Sequence, residues 1–319
     1  SAAAITITDT ASTLTLDGVV SGSQGFLKSG TGTLVLTQAN TFSGPLTVSD
    51  GGLVITGSTA AASAVIINNG SLSGTGTIGG PISVSNVGNL SPGLSASTGI
   101  LHTANVGLAP SSNFLVNING GTAGTQYDQL DVNGTIDLTG ADLFLVGAFV
   151  PSVGQSFMLI DNDGSDPVTG TFTGLPSNGT LTFNGVVLAI RYDGGDGNDV
   201  VLTAVPIVSI DVAPASVTED GGTNLVYTVT RSASLPTTTV VNITTAGSAS
   251  SGSDYTGAVA TATIAASATN TTITIDPTVD GTLEANETVI LTVAAGSGYA
   301  VGAPSSATGT INNDDTAAI

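Results

Sequence analysis

Apolar residues in this chain recur at every second position in short runs, and almost never at the i, i+3, i+4 spacing of a helix face. Ile5-Thr6-Ile7-Thr8, Leu14-Thr15-Leu16, Leu34-Val35-Leu36, Leu46-Thr47-Val48 and Leu53-Val54-Ile55 each read as a short strand with one buried face. Turn residues divide them: Asp17-Gly18, Ser43-Gly44-Pro45 and Asp50-Gly51-Gly52. From residue 26 to about residue 103 a strand and a Gly-rich corner recur every ~10 residues, as in the short coils of a solenoid. Gly74-Thr75-Gly76-Thr77-Ile78-Gly79-Gly80 and Leu90-Ser91-Pro92-Gly93 are such corners, where glycine supplies positive φ and leaves room for a close neighbour. After about residue 112 the runs lengthen, as in Phe114-Leu115-Val116-Asn117-Ile118 and Asp142-Leu143-Phe144-Leu145-Val146. The expected fold class is all-β.

Charge narrows the function classes. Three cationic side chains (Lys28, Arg191, Arg231) face 23 acidic ones, for a formal net charge of -20. A nucleic-acid partner is excluded, because phosphate binding needs clustered Lys and Arg, and an anionic membrane surface is disfavoured on the same ground. No apolar run approaches the ~18 residues of a membrane-spanning helix. With so few salt bridges available, the carboxylates must be dispersed, solvated or neutralised by cations, which makes Ca²⁺ the expected ligand. The 319 residues include no Cys, so disulfides and thiolate sites do not arise, and stacked coils are the alternative source of stability. Sparse Lys and aromatics with abundant Gly, Thr and Ser are typical of bacterial surface proteins. The start, Ser1-Ala2-Ala3-Ala4, has no signal-peptide core and resembles the small-residue surroundings of a cleavage site, so any signal peptide is expected to have been removed.

Two stretches resemble known families. KSGTGTLVLTQANTFSGPLTVSDGGLVI, Lys28 to Ile55, is similar to the autotransporter passenger-associated repeat, a β-helical element of bacterial surface proteins. NLSPG (Asn89 to Gly93) and TGILHTANV (Thr98 to Val106) continue the likeness, and YDQLDVNGTIDLTGADL, FMLIDNDGSDPVTGTFTGLP and IRYDGGDGNDVVLTAV resemble the segment that closes such passengers. In an autotransporter a membrane barrel follows; here Val205-Pro206 opens a different module. VSIDVAPASVTEDGGTNLVYTVTRS, GSDYTG, IDPTVDGTLEANETVILTV and GTINNDD, in that order over residues 207 to 315, resemble a Calx-β domain, an immunoglobulin-like calcium-binding sandwich. The implied organisation is a β-solenoid or β-sandwich-like repeat region over 1-111, a β-rich passenger-like region over 112-205 that is either separate or continuous with it, and a Calx-β sandwich over 206-319.

In the Calx-β family calcium sits where acidic loops converge at one end of the sandwich. The resemblance implies Glu219, Asp254, Asp280, Glu284, Asp314 and Asp315 as ligands, a set able to supply the 6 to 8 oxygens that Ca²⁺ takes. Val279 and Asn313 stand where further carboxylates would strengthen the set, which points to a single site rather than a cluster. Gly194 to Leu202, GGDGNDVVL, fits the calcium nonapeptide G-G-x-G-x-D-x-U-x. It occurs once, whereas in that roll each ion lies between neighbouring repeats, so it reads as a hairpin turn holding Asp196 and Asp199. Asp161-Asn162-Asp163-Gly164-Ser165-Asp166 likewise reads as a turn, since no Glu stands twelve residues from its start.

Catalysis has little to work with. His102 is the single histidine, with no G-x-S-x-G motif and no Cys to pair with it, and Arg191 near Asp193 and Asp196 reads as a structural pair. The expectation is no enzyme and no catalytic residue, but an extracellular or cell-surface structural protein. It would self-associate into a homopolymeric filament, surface layer or matrix by strand pairing, stiffened by calcium, and Ala3 to Leu16 could complete a neighbour's sheet. The alternatives are an adhesin stalk with a cell-surface or glycan partner, and a β-helical polysaccharide-active enzyme with paired Asp residues in a groove.

Overall fold

The computed structural model describes residues 3–95, 97–163 and 165–316, so Ser1 and Ala2, half of the cleavage-like start, lie outside the described residues. Every described element is a strand, as the alternation predicts, and no helix is long and apolar enough to cross a membrane. The chain divides into two compact units, Ser1–Ala204 and Val205–Ile319.

Unit one is a solenoid of three sheets in which successive coils pair in parallel. The pairing stacks like on like: Leu34, Leu53, Leu72, Leu90, Phe114 and Leu143 lie opposite one another from coil to coil. Phe26, Leu46, Val65, Ile82, Val106 and Ile136 form a second column. Every member except Leu143 is buried, and each such side chain contributes about 1.5–3 kcal/mol by leaving water. The coil repeat is longer than the turn spacing in the sequence: Leu34, Leu53, Leu72 and Leu90 are 19, 19 and 18 residues apart. The ~10-residue spacing separates neighbouring strands, because each coil contributes more than one.

Ala3–Thr6 and Thr13–Leu16 form the first coil, pairing with Phe26–Ser29 and Thr33–Leu36 of their own chain. Their side chains are mostly exposed, and each strand has one neighbour among the described residues. Strands on both sides of residue 111 share a sheet, with Leu90 opposite Phe114. At the far end the third sheet turns antiparallel: Ser156–Asn162 pairs with Asp199–Ala204, then Val186–Gly194, then Thr180–Phe183. Phe172 stacks on Phe114 at 5.9 Å and closes the core there.

Polar side chains fasten coil to coil. Asn40 is buried; its Nδ2 donates to Gln38 O and Ser58 O, and its Oδ1 accepts from Val20 N, so it bridges three coils. Lys28 is fully buried, and its Nζ donates to Gly30 O at 2.7 Å, Asp50 O at 2.9 Å and Ser29 O at 3.3 Å. Burial holds its pKa below the ordinary lysine value, against the opposing pull of the Asp50 carboxylate. Gly51 makes this possible: its φ is +70°, and a Cβ there would lie 2.7 Å from Lys28 Nζ.

Unit two is a sandwich. One sheet runs Tyr255–Thr256, Asn270–Pro277, Leu225–Arg231, Ile207–Val212, Ala300–Val301; the other runs Ser216–Thr218, Ser306–Asn312, Glu287–Val293, Thr239–Gly247, Thr261–Ile264. Inward positions such as Val208, Val229, Val289 and Leu291 fill its core. Tyr227, buried in the first sheet, donates its hydroxyl proton to Val289 O at 2.7 Å and accepts from Gly309 N at 3.0 Å, both in the second. Burial pushes its pKa up to about 12. Arg231 is buried near the end where Thr239 begins its strand, donating to Ala268 O, Thr237 O, Thr239 Oγ1, Leu235 O and Ala265 O.

Two stability outcomes follow. Tyr227→Phe is expected to cost about 1–3 kcal/mol in a denaturant titration of the sandwich, since a buried N–H and carbonyl lose their partner. Lys28→Met is expected to lower the solenoid's thermal transition by the equivalent of about 2 kcal/mol or more, because buried carbonyls lose a charged donor. An unchanged transition would contradict the fastening role.

Candidate metal centre

Acidic residues gather at the sandwich end opposite Arg231, where strand alternation carries past the apolar core. Val289, Leu291 and Val293 face inward, and Glu287, the first residue of that strand, is in phase with them. Glu219 is in phase with Val217 and is only 4% exposed. The strand between them in the sheet, Ser306–Asn312, runs on into Asn313, in phase with buried Ala307 and Ile311. The inner row that is apolar in mid-sheet therefore ends in Glu219, Asn313 and Glu287.

Loops bring in the rest. Asp254 closes a tight turn, accepting Ser250 N on Oδ2 at 2.6 Å and receiving a hydrogen bond from Glu287. Glu284 donates its N–H to Asn313 Oδ1 at 2.9 Å, while Asn313 Nδ2 donates to Asp315 O and Asn313 N to Asn286 Oδ1. Asn313 thus fastens the converging loops to one another. Carboxylate oxygens of Asp254, Glu284 and Glu287 all lie within 4.8 Å of one another.

Of the six residues expected to hold calcium, the structure places Asp254 and Glu284 in this triad. Glu219, Asp280, Asp314 and Asp315 are not part of it. Burial raises the pKa of Glu219, and the charges of Asp280, Glu284, Asp315 and Asp220 add to the rise. Asp280 accepts Thr282 N at 2.6 Å, and Asp314 accepts Asp220 N at 3.2 Å. Asp315 Oδ2 is buried with no hydrogen-bond partner. Glu287 is the member that the sequence reading missed. Its signal was its phase: an acid two residues before Val289 on an otherwise apolar inner row.

The electrostatics fit a cation. Burial, the hydrogen bond to Asp254, and the charges of Asp254, Glu284 and Glu219 push Glu287 up to about 7. The Ser250 N–H, assisted by Ser253 and Glu287, holds Asp254 below the ordinary carboxylate range against burial. One proton thus relieves the repulsion where a divalent cation would relieve it further. Ca²⁺ would be held by Asp254, Glu284 and Glu287, with oxygen donors alone, as its chemistry requires.

The proton gives a test with a definite sign. Glu287 binds a proton more tightly folded, near 7, than at its ordinary 4.5. Its contribution to stability is therefore complete below about pH 4.5 and lost as pH rises through about 7. Without metal, the sandwich's thermal transition is expected to fall across that window. Saturating CaCl2 should remove the fall and release a proton on binding, and Glu287→Gln should flatten the metal-free profile. Calorimetry in buffers of different protonation enthalpy reads the proton; a binding heat independent of buffer would contradict this assignment.

Comparison with curated proteins finds no match. Among solved structures, the chain is similar to CBD12 from CALX1.2 at 24% identity, covering 34% of this chain and 44% of that one with a TM-score of 0.29. It is similar to the apo form of the Calx CBD1 domain at 23% identity, covering 34% of this chain and 98% of that one, also with a TM-score of 0.29. The chain thus spans less than half the length of the CBD12 structure. Residues 26–55 match the passenger-associated-transport-repeat family, and residues 202–315 match the Calx-beta domain family. The chain therefore carries, in this order, a passenger-associated repeat within its solenoid and a Calx-beta domain over its sandwich.

Proposed function

We propose that this chain is an extracellular structural protein of a bacterial surface, a subunit that self-associates by strand pairing and binds Ca²⁺ through its Calx-beta domain. The families matched are binding and structural domains, and the passenger-associated repeat fits a secreted chain. The observation that carries the reading is the first coil. Among the described residues, Ala3–Thr6 and Thr13–Leu16 each pair along one edge, and the other row of N–H and C=O groups is the kind of edge to which a further strand adds. Calcium at Asp254, Glu284 and Glu287 would tie the loops of residues 250–254 and 278–287 together and so stiffen each subunit.

A second reading, the binding segment of an adhesin, is favoured by Val279 and Leu283. They are 65% and 58% exposed on the loop that carries Asp280 and Glu284, and they offer an apolar contact beside the calcium end. An enzymatic reading has less support: His102 Nδ1 bonds Asp131 Oδ2 at 2.5 Å on an open face lined by Thr77, Thr103 and Asn133.

The test is negative-stain microscopy with light scattering of the full chain in CaCl2 and after EGTA. Filaments or sheets that loosen in EGTA are the expected result. Monomers in both conditions overturn self-assembly, and monomers that bind cells or glycans in CaCl2 support the adhesin instead.

A further inference from the structure

The solenoid's closing sheet holds an unexplained polar cluster. Asn162 ends the strand Ser156–Asn162, and Asn198 lies in the turn between Val186–Gly194 and Asp199–Ala204. They are 1% and 6% exposed. Their Nδ2 atoms converge on one acceptor, Asp166 O, at 2.6 and 2.9 Å. The Oδ1 atoms of both are buried with no hydrogen-bond partner. A buried acceptor left unmade costs about 1–3 kcal/mol, and these two belong to amides that meet at the same carbonyl.

The surroundings state the sign of that partner. Asp199 is buried beside them, its Oδ1 accepting Asn162 N at 2.8 Å and its Oδ2 accepting Asp196 N at 3.3 Å. Asp161, Asp196 and Asp199 lie close enough for their negative charges to act on one another. The nearby Arg191 is engaged by Asp193 through two hydrogen bonds of 3.0 Å. The turn wraps Asp199 closely: Gly195 has φ +52°, and a Cβ there would fall on Asp199 Oδ2.

We propose that Asn162 and the 194–199 turn together form a calcium site, with Asn162 Oδ1 and Asn198 Oδ1 as amide-oxygen ligands and Asp161, Asp196 and Asp199 supplying the negative charge. Amide and carboxylate oxygens without nitrogen or sulfur are the donor set of a hard divalent cation. The arrangement also accounts for the lone GGDGNDVVL. A roll holds each ion between two repeats; here the second wall comes from Asn162 and the Asp166 carbonyl rather than from another copy of the motif. This site is independent of the one in the sandwich.

The test uses the full chain carrying Asp254→Asn, Glu284→Gln and Glu287→Gln, which removes the sandwich triad. Titrated with CaCl2 in a calorimeter, this protein is expected to retain one bound Ca²⁺. Hydrogen exchange is expected to slow in residues 158–166 and 194–200 when CaCl2 replaces EGTA. Adding Asn162→Ala and Asn198→Ala should abolish both effects. Absence of residual binding together with unchanged exchange in the closing sheet overturns the proposal, even if the asparagine variants fail to fold, because that sheet is unaltered in the first protein. Residual binding that survives both asparagine changes overturns it as well.

Discussion

The solenoid depends on one constraint: each coil must present its backbone in parallel register to the next. Because side chains alternate at period two, a slip of one residue would turn a whole buried column into solvent. The register therefore fixes which residues are apolar and leaves coil length free. The second column shows this freedom, since Leu46 to Val65 spans 19 residues, Val65 to Ile82 17, Ile82 to Val106 24 and Val106 to Ile136 30. Extra residues collect at corners, where they need not pair. The same alternation, carried one step beyond the apolar core of the sandwich, turns Glu219 and Glu287 inward, so the metal centre is an extension of the core pattern.

Much of the architecture was legible because it is local. Alternation gave the strands, and glycine with proline or aspartate gave the turns. The coil repeat was not legible from turn spacing, since a corner between two strands of one coil and a corner between coils use the same residues. Lys28 and Asn40 looked like polar interruptions in a repeat; their role appears only when residues about twenty positions apart stack against them. Asp254 and Glu284 stood in motifs, whereas Glu287 was hidden as the start of a strand. Asn162 and Asn198 lie 36 positions apart, and neither is acidic, so a search for carboxylate clusters passes over them.

The solenoid and the sandwich solve the shortage of positive charge in the same manner. Lys28 is spent on backbone carbonyls between coils, and Arg231 on carbonyls at one end of the sandwich. Neither offsets a carboxylate by direct contact, so the net charge of -20 is left almost entirely to solvent and counter-ions.

That placement has a consequence for resistance to proteases. A protease that cuts after lysine or arginine has three bonds to choose from in 319 residues. Two follow side chains that are fully buried, and the third, after Arg191, lies in a strand where Arg191 pairs with Val201. Cleavage needs an extended, accessible segment, which such positions offer only when the fold opens. Against trypsin-like enzymes the folded chain offers one reachable side chain, Arg191, held in a paired strand, and its resistance is set by how rarely that sheet comes apart.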